Sequence, residues 1–133
     1  MAQIRLGQPI LVRSSAITHA DNGSTVAAVD VPAGHFVPPY GVTLYVAEAF
    51  AGGTPSMTIG DGSDTDGWAV STDITEASTG CYTSVGAAYS IAGKLYASAD
   101  TIDVVVADTT LTDGTGYLLV LMYDLSDVSV AAA

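Results

Sequence analysis

The stretch from Gly60 to Trp68, GDGSDTDGW, crowds Asp61, Asp64 and Asp66 among glycines and hydroxyls. Those residue types either wrap a calcium ion in oxygen or make a solvated turn. An EF-hand-type loop takes oxygen ligands at positions 1, 3 and 5, a glycine at 6 and a bidentate acid at 12. With Gly67 at the glycine position, Asp64, Asp66 and Asp73 fall on the third, fifth and last ligand positions, but the first is Gly62 and Asp61 lies one residue too early. Asp64, Asp66 and Asp73 are therefore the candidate calcium ligands, and the missing first ligand favours a turn. In that turn aspartates accept backbone N–H bonds and glycines supply positive φ.

The remaining reactive residues are sparse. His19 lies in THADNGS and His35 in PAGHFVPP, neither with a triad motif around it, and both read as exposed turn residues. No G-x-S-x-G is present, and Lys94 in AGKLY lacks the glycines that place a phosphate-loop lysine. Glu48 and Glu76 are the only glutamates, and sequence does not fix their separation. Cys81 is the single cysteine, which excludes an intrachain disulfide and a cysteine zinc site. Trp68 with Tyr40, Tyr82, Tyr89 and Tyr96 offers aromatic faces for a sugar, or anchors for a core or interface. The set reads as a chain that is not an enzyme and needs no cofactor.

These residues sit on a chain of 133 residues with 3 basic and 14 acidic side chains, a net charge of −11. Such a charge repels nucleic acid. Mean hydropathy is high at +0.42, yet the longest apolar run, YLLVLMY from Tyr117 to Tyr123, falls far short of the ~20 residues of a membrane helix. The first twenty residues carry Arg5 and Arg13 and no acid, with Gly7, Gln8 and Pro9 interrupting any apolar run. That segment does not read as a secretory signal, so the chain reads as made and used in a cytosol, or as lacking its targeting segment. Its charge is opposite to that of the body, so it can reach an acidic neighbour, including another copy.

Val, Ile, Thr and Tyr between closely spaced Gly and Pro predict an all-β chain. Strands are expected at TVAAVDV, GVTLYVAEAF, MTI with a returning WAVS, TIDVVVAD and YLLVLMYDL, with irregular pieces and one helical turn between Ser71 and Ala99. Asp113-Gly114 has the chemistry of a turn between the last two strands. GVTLYVAEAF and YLLVLMYDL are apolar on both faces, as a strand is when it lies between layers or at an interface. Seven to nine short strands predict an antiparallel β-sandwich or jelly roll over residues 24–133, with residues 1–23 as an extended N-terminal arm.

The order of VDVPAG, then TIGDGSDTDGW, then YASADTID ahead of YLLVLMYDL resembles a group of small acidic virion proteins of tailed bacteriophages, over about residues 24–125. The resemblance implies a capsid decoration, or cement, protein: a β-rich subunit, often a homotrimer, that binds the major capsid protein and bridges capsomers on the outer surface of the virion. It implies assembly in the bacterial cytoplasm. On this reading Ile4, Arg5, Leu6, Ile10, Leu11 and Arg13 are the partner-binding residues of the arm. Two alternatives remain, a tail or fibre component of a phage virion and a calcium-dependent carbohydrate-binding module.

Overall fold

Residues that favour a pleated, half-buried surface recur between turns, and the computed structural model is built almost wholly of strands. It describes the backbone of residues 2–5, 8–126 and 129–132, and the side chains of residues 8–126. The described strands are β1 (Ala2–Arg5), β2 (Ile10–Arg13), β3 (Ile17–Thr18), β4 (Thr25–Val31), β5 (His35–Val37), β6 (Val42–Ala51), β7 (Met57–Gly60), β8 (Gly80–Tyr82), β9 (Lys94–Tyr96), β10 (Asp100–Val106), β11 (Asp113–Asp124) and β12 (Ser129–Ala132). One short helix, α1 (Ala88–Ala92), precedes β9.

Two antiparallel sheets form a β-sandwich. The small sheet has the order β4-β10-β7, and the large one runs β8-β6-β11-β5-β9, with β2 and β3 also paired to β11. The two chain ends pair separately, β1 with β12, Ala2 opposite Ala132.

Alternation dictates the core. Along β11, Leu118, Val120 and Met122 point inward and are buried, and Val42, Leu44 and Val46 do the same on β6. Val29 and Val31 of β4, Ile102, Val104 and Val106 of β10, and Met57 and Ile59 of β7 meet them from the small sheet in one cluster. The strand expected to be central is central: β11 pairs β6 along one edge and β2 and β3 along the other.

Two local expectations change. WAVS does not return as a strand; Ile59 makes a single bridge with Ala69, because Trp68 and Ala69 both donate to the Ile59 carbonyl at 2.9 Å and the chain curls inward there. Asp113-Gly114 does not join β10 to β11 as a hairpin. These strands lie in different sheets, and Asp113 already pairs with Ala51. Asp113 and Gly114 instead open β11 at a bulge against β6, Gly114 with φ 133, and the chain crosses between layers before them, over residues 107–112.

Candidate interaction surfaces

The acidic loop after β7 is closed by its own side chains. Asp61 is 1% exposed. Its Oδ1 accepts the backbone N–H groups of Ser63 at 2.9 Å and Asp64 at 3.1 Å. Its Oδ2 accepts from Lys94 Nζ at 2.6 Å and Tyr96 Oη at 2.8 Å. Burial works to raise the Asp61 pKa, but these four donors outweigh it and hold the carboxyl below its ordinary value of 3.8. Tyr96 in turn accepts from Trp68 Nε1 at 3.0 Å, and Lys94 lies over the Tyr89 and Tyr96 rings.

The glycines of this loop serve closeness and not positive φ. None of Gly60, Gly62 or Gly67 is among the residues with positive φ. A Cβ on Gly60 would strike the Asp64 carbonyl, and one on Gly67 the Tyr89 ring. Asp64 and Asp66 stay at the exposed tip, where a hydrogen bond shared with Asp64 pushes the Asp66 carboxyl up. Asp73 is used elsewhere, accepting the Val70 N–H at 3.1 Å at the 3-10 turn Ser71–Asp73. Among the described residues no three His, Cys, Asp or Glu side chains converge to hold a metal.

The aromatic platform does not form. Trp68 is 0% exposed and Tyr96 2%, so both are core and cannot stack on a sugar from solvent. His35 is buried on β5 and not exposed as its turn-like sequence suggested; its Nδ1 is 3.3 Å from the Ala33 carbonyl. Glu76 is buried too, accepting the Met57 N–H at 2.7 Å, and burial raises its pKa. Glu48, its only fellow glutamate, is exposed.

What faces solvent instead is the outer side of the large sheet. Cross-strand pairing puts Tyr45 beside Tyr117, Thr43 beside Leu119, Arg13 beside Leu119 and Leu11 beside Leu121 on that side. The Tyr45 and Tyr117 rings stack at 6.3 Å, and the Arg13 guanidinium lies 4.9 Å from the Tyr117 ring. Leu11 is 69% and Tyr45 41% exposed, with Ile10 exposed beside Leu11 on β2. No acid occurs in Ile10–Arg13, Val42–Ala47, Gly80–Tyr82 or Tyr117–Tyr123. The outer side of the small sheet contrasts with it, carrying Asp30, Thr101 and Asp103.

A second apolar patch lies around α1. Ile91 and Leu95 are 53% and 52% exposed, and Tyr40, 53% exposed, is tied to α1 by its N–H to the Ser90 carbonyl at 2.9 Å. Tyr40 has φ 58, a left-handed backbone that a tyrosine adopts only at a cost. Gly67, next to Asp66, accepts the Tyr89 N–H at 2.8 Å, which sets the acidic tip against the same helix. This patch went unread in the sequence because Ile91 and Leu95 show no period.

Of the residues expected to form the arm, Ile10, Leu11 and Arg13 lie in β2, an edge strand that pairs only β11 among the described residues. Ile17 is core at 1% exposure, so residues 10–18 belong to the large sheet. Ile4 and Arg5 are in β1, opposite Val130 and Ser129, and Leu6 lies outside the described residues.

No protein-family model and no curated protein matches the sequence. Solved structures do resemble the fold. A chain of the acidic stable capsid structure of Helicobacter pylori bacteriophage KHP30 superposes with a TM-score of 0.74 at 18% identity, covering 100% of both chains. A chain of the cyanophage Pam1 capsid asymmetric unit superposes with a TM-score of 0.54 at 20% identity, over 93% of this chain and 84% of that one.

Proposed function

We propose that this chain is a structural virion subunit that binds the outside of a phage capsid, bridges neighbouring capsomers and stabilises the shell without catalysis. Its fellow subunits, as a homotrimer, and the major capsid protein are its partners. The observation that carries this reading is the fold likeness over the full length of both chains to a subunit of the KHP30 capsid. That likeness extends over the whole of both chains and is not confined to a shared fragment.

The chain's own chemistry supports it. Asp61, Lys94 and Glu76 are committed to internal bonds, while apolar and aromatic surface is left outside. Adhesion needs that distribution: burying apolar area contributes about 25 cal/mol per Å² before association costs, and many equivalent contacts on a shell add up. The N-terminal segment, whose Ala2–Arg5 pair with β12 and with neither sheet of the sandwich, would act as the arm.

Sedimentation of purified full-length chain with heads that lack it tests the reading. Saturable binding to heads, weakened by removal of residues 1–9, is expected. Binding to tails and not heads would transfer the chain to the tail or fibre class.

A further inference from the structure

The two exposed apolar patches differ in charge, and the difference is complementary. The outer face of the large sheet contains Arg13, stacked on Tyr117 and without an ion-pair partner among the described residues. The segments beside it, 10–13, 42–47 and 117–123, carry no acid; the exposed Glu48 of β6, opposite Thr115, stands on the same side toward the far end of the face. The patch at α1 has Ile91 and Leu95, with Asp66 exposed and Asp64 half-buried in the loop whose Gly67 carbonyl Tyr89 of α1 bonds.

We infer that these patches are the two halves of one head-to-tail contact between copies of this chain, the Arg13 face of one subunit against the α1 face of the next. The inference rests on the reading of the chain as an assembling subunit and names the surfaces it would use.

A second copy is the occupant that the charges select. Copies with a net charge of −11 repel one another over most of their surfaces. The Arg13 end of this face, away from Glu48, is where an acidic neighbour can approach with least repulsion, and α1 is where an identical chain offers a carboxylate next to apolar side chains. A face-to-face contact of two Arg13 faces would bring guanidinium toward guanidinium, with no acid in the strand segments that pair beside Arg13. Unlike halves joined head to tail form a ring where the rotation between copies closes, and the proposed homotrimer is such a ring.

The size fits. Four strands at about 4.8 Å spacing and some six residues of about 3.4 Å each give a face of roughly 400 Å². That is the scale at which an exposed apolar patch marks an association site, and about half of what one partner buries in a standard interface. Tyr, Arg and Leu at its centre are anchor residues of such contacts, and the left-handed backbone of Tyr40 at the other patch is a strain that a bound neighbour would help hold.

The test is the native mass of the full chain by sedimentation at micromolar concentration. Arg13→Glu and Asp66→Arg should each weaken association about tenfold, and the double variant carrying both should recover it. A mixture of Leu11→Ser/Arg13→Glu chains with Ile91→Ser/Leu95→Ser chains should form dimers, because each retains one intact half. Circular dichroism of each variant establishes that it is folded.

A wild-type monomer, single variants of wild-type mass, a charge swap that restores nothing, or a mixture that stays monomeric would each overturn the contact. Head binding is scored separately. Wild-type chain that assembles but ignores heads overturns the capsid reading and leaves this contact standing, and a monomer that binds heads does the reverse.

Discussion

Asp61 and Lys94 form a 2.6 Å ion pair in which the carboxylate side chain is fully buried and the ammonium is 22% exposed. The pair joins the acidic loop after β7 to the start of β9, two segments 33 residues apart. A segment that could have wrapped a cation is held by the chain's single lysine.

Removing that cation should be costly. Lys94→Met leaves Asp61 buried with two backbone donors and one hydroxyl, so urea unfolding should show a loss of about 3 kcal/mol. Asp61→Asn combined with Lys94→Met should lose less than the sum of the single changes.

The hydroxyl of Tyr96 is bonded on both sides, to Trp68 Nε1 and Asp61 Oδ2. Tyr96→Phe keeps the ring and strands a buried indole N–H. It should cost about 2 kcal/mol, with a shift in Trp68 fluorescence that reports the same site.

Glycine positions in the loop separate room from backbone conformation. Gly60→Ala meets the Asp64 carbonyl and should lower the unfolding midpoint sharply. Gly62→Ala, whose new methyl would have Asp100 oxygens no nearer than 3.7 Å, should change stability by less than about 0.5 kcal/mol. Equal effects at both sites would show that close packing is not what selects glycine there.

Two carboxyls pull the pH dependence in opposite senses. The Asp61 pKa is lowered on folding, so its contribution is present above the ordinary carboxylate value and is lost as pH falls through the lowered one. The Glu76 pKa is raised by burial above its ordinary 4.5, so its contribution is full below that value and is lost as pH rises through the raised one. Glu76→Gln keeps an acceptor for the Met57 N–H. It should be more stable than wild type at pH 7, with the advantage shrinking as pH falls toward 4.5. An advantage independent of pH would assign it to packing.

Neighbours on β11 should part company by face. Leu118 is 0% exposed, and Leu118→Ala should cost about 3 kcal/mol or more in the isolated subunit. Leu119 points to the outer side, so Leu119→Ser should cost about 1 kcal/mol or less in subunit stability and show its effect in association.

Much of the sandwich was legible because alternation is a local signal. β6, β10 and β11 each carry enough period-two residues to place their buried faces. β5, β8 and β9 have three residues each, too few for a period, and are strands because their neighbours pair with them. The place of Asp113-Gly114 at the start of β11, after the chain has crossed between layers, was hidden because turn chemistry does not say which sheet comes next. Trp68 read as either a sugar-facing aromatic or an anchor of a core or interface; what selects the core is its bond to Tyr96, which is distant in sequence. Arg13 stood out in the sequence by charge alone, whereas its stacking on Tyr117 needed the register of β2 on β11.

Electron cryomicroscopy of heads assembled with and without this chain addresses the central claim most directly. The account predicts added density of this sandwich on the outer surface of the shell, lying across junctions between capsomers, and heads that rupture at lower temperature when it is missing. Shells identical in density and rupture temperature with and without the chain would contradict it.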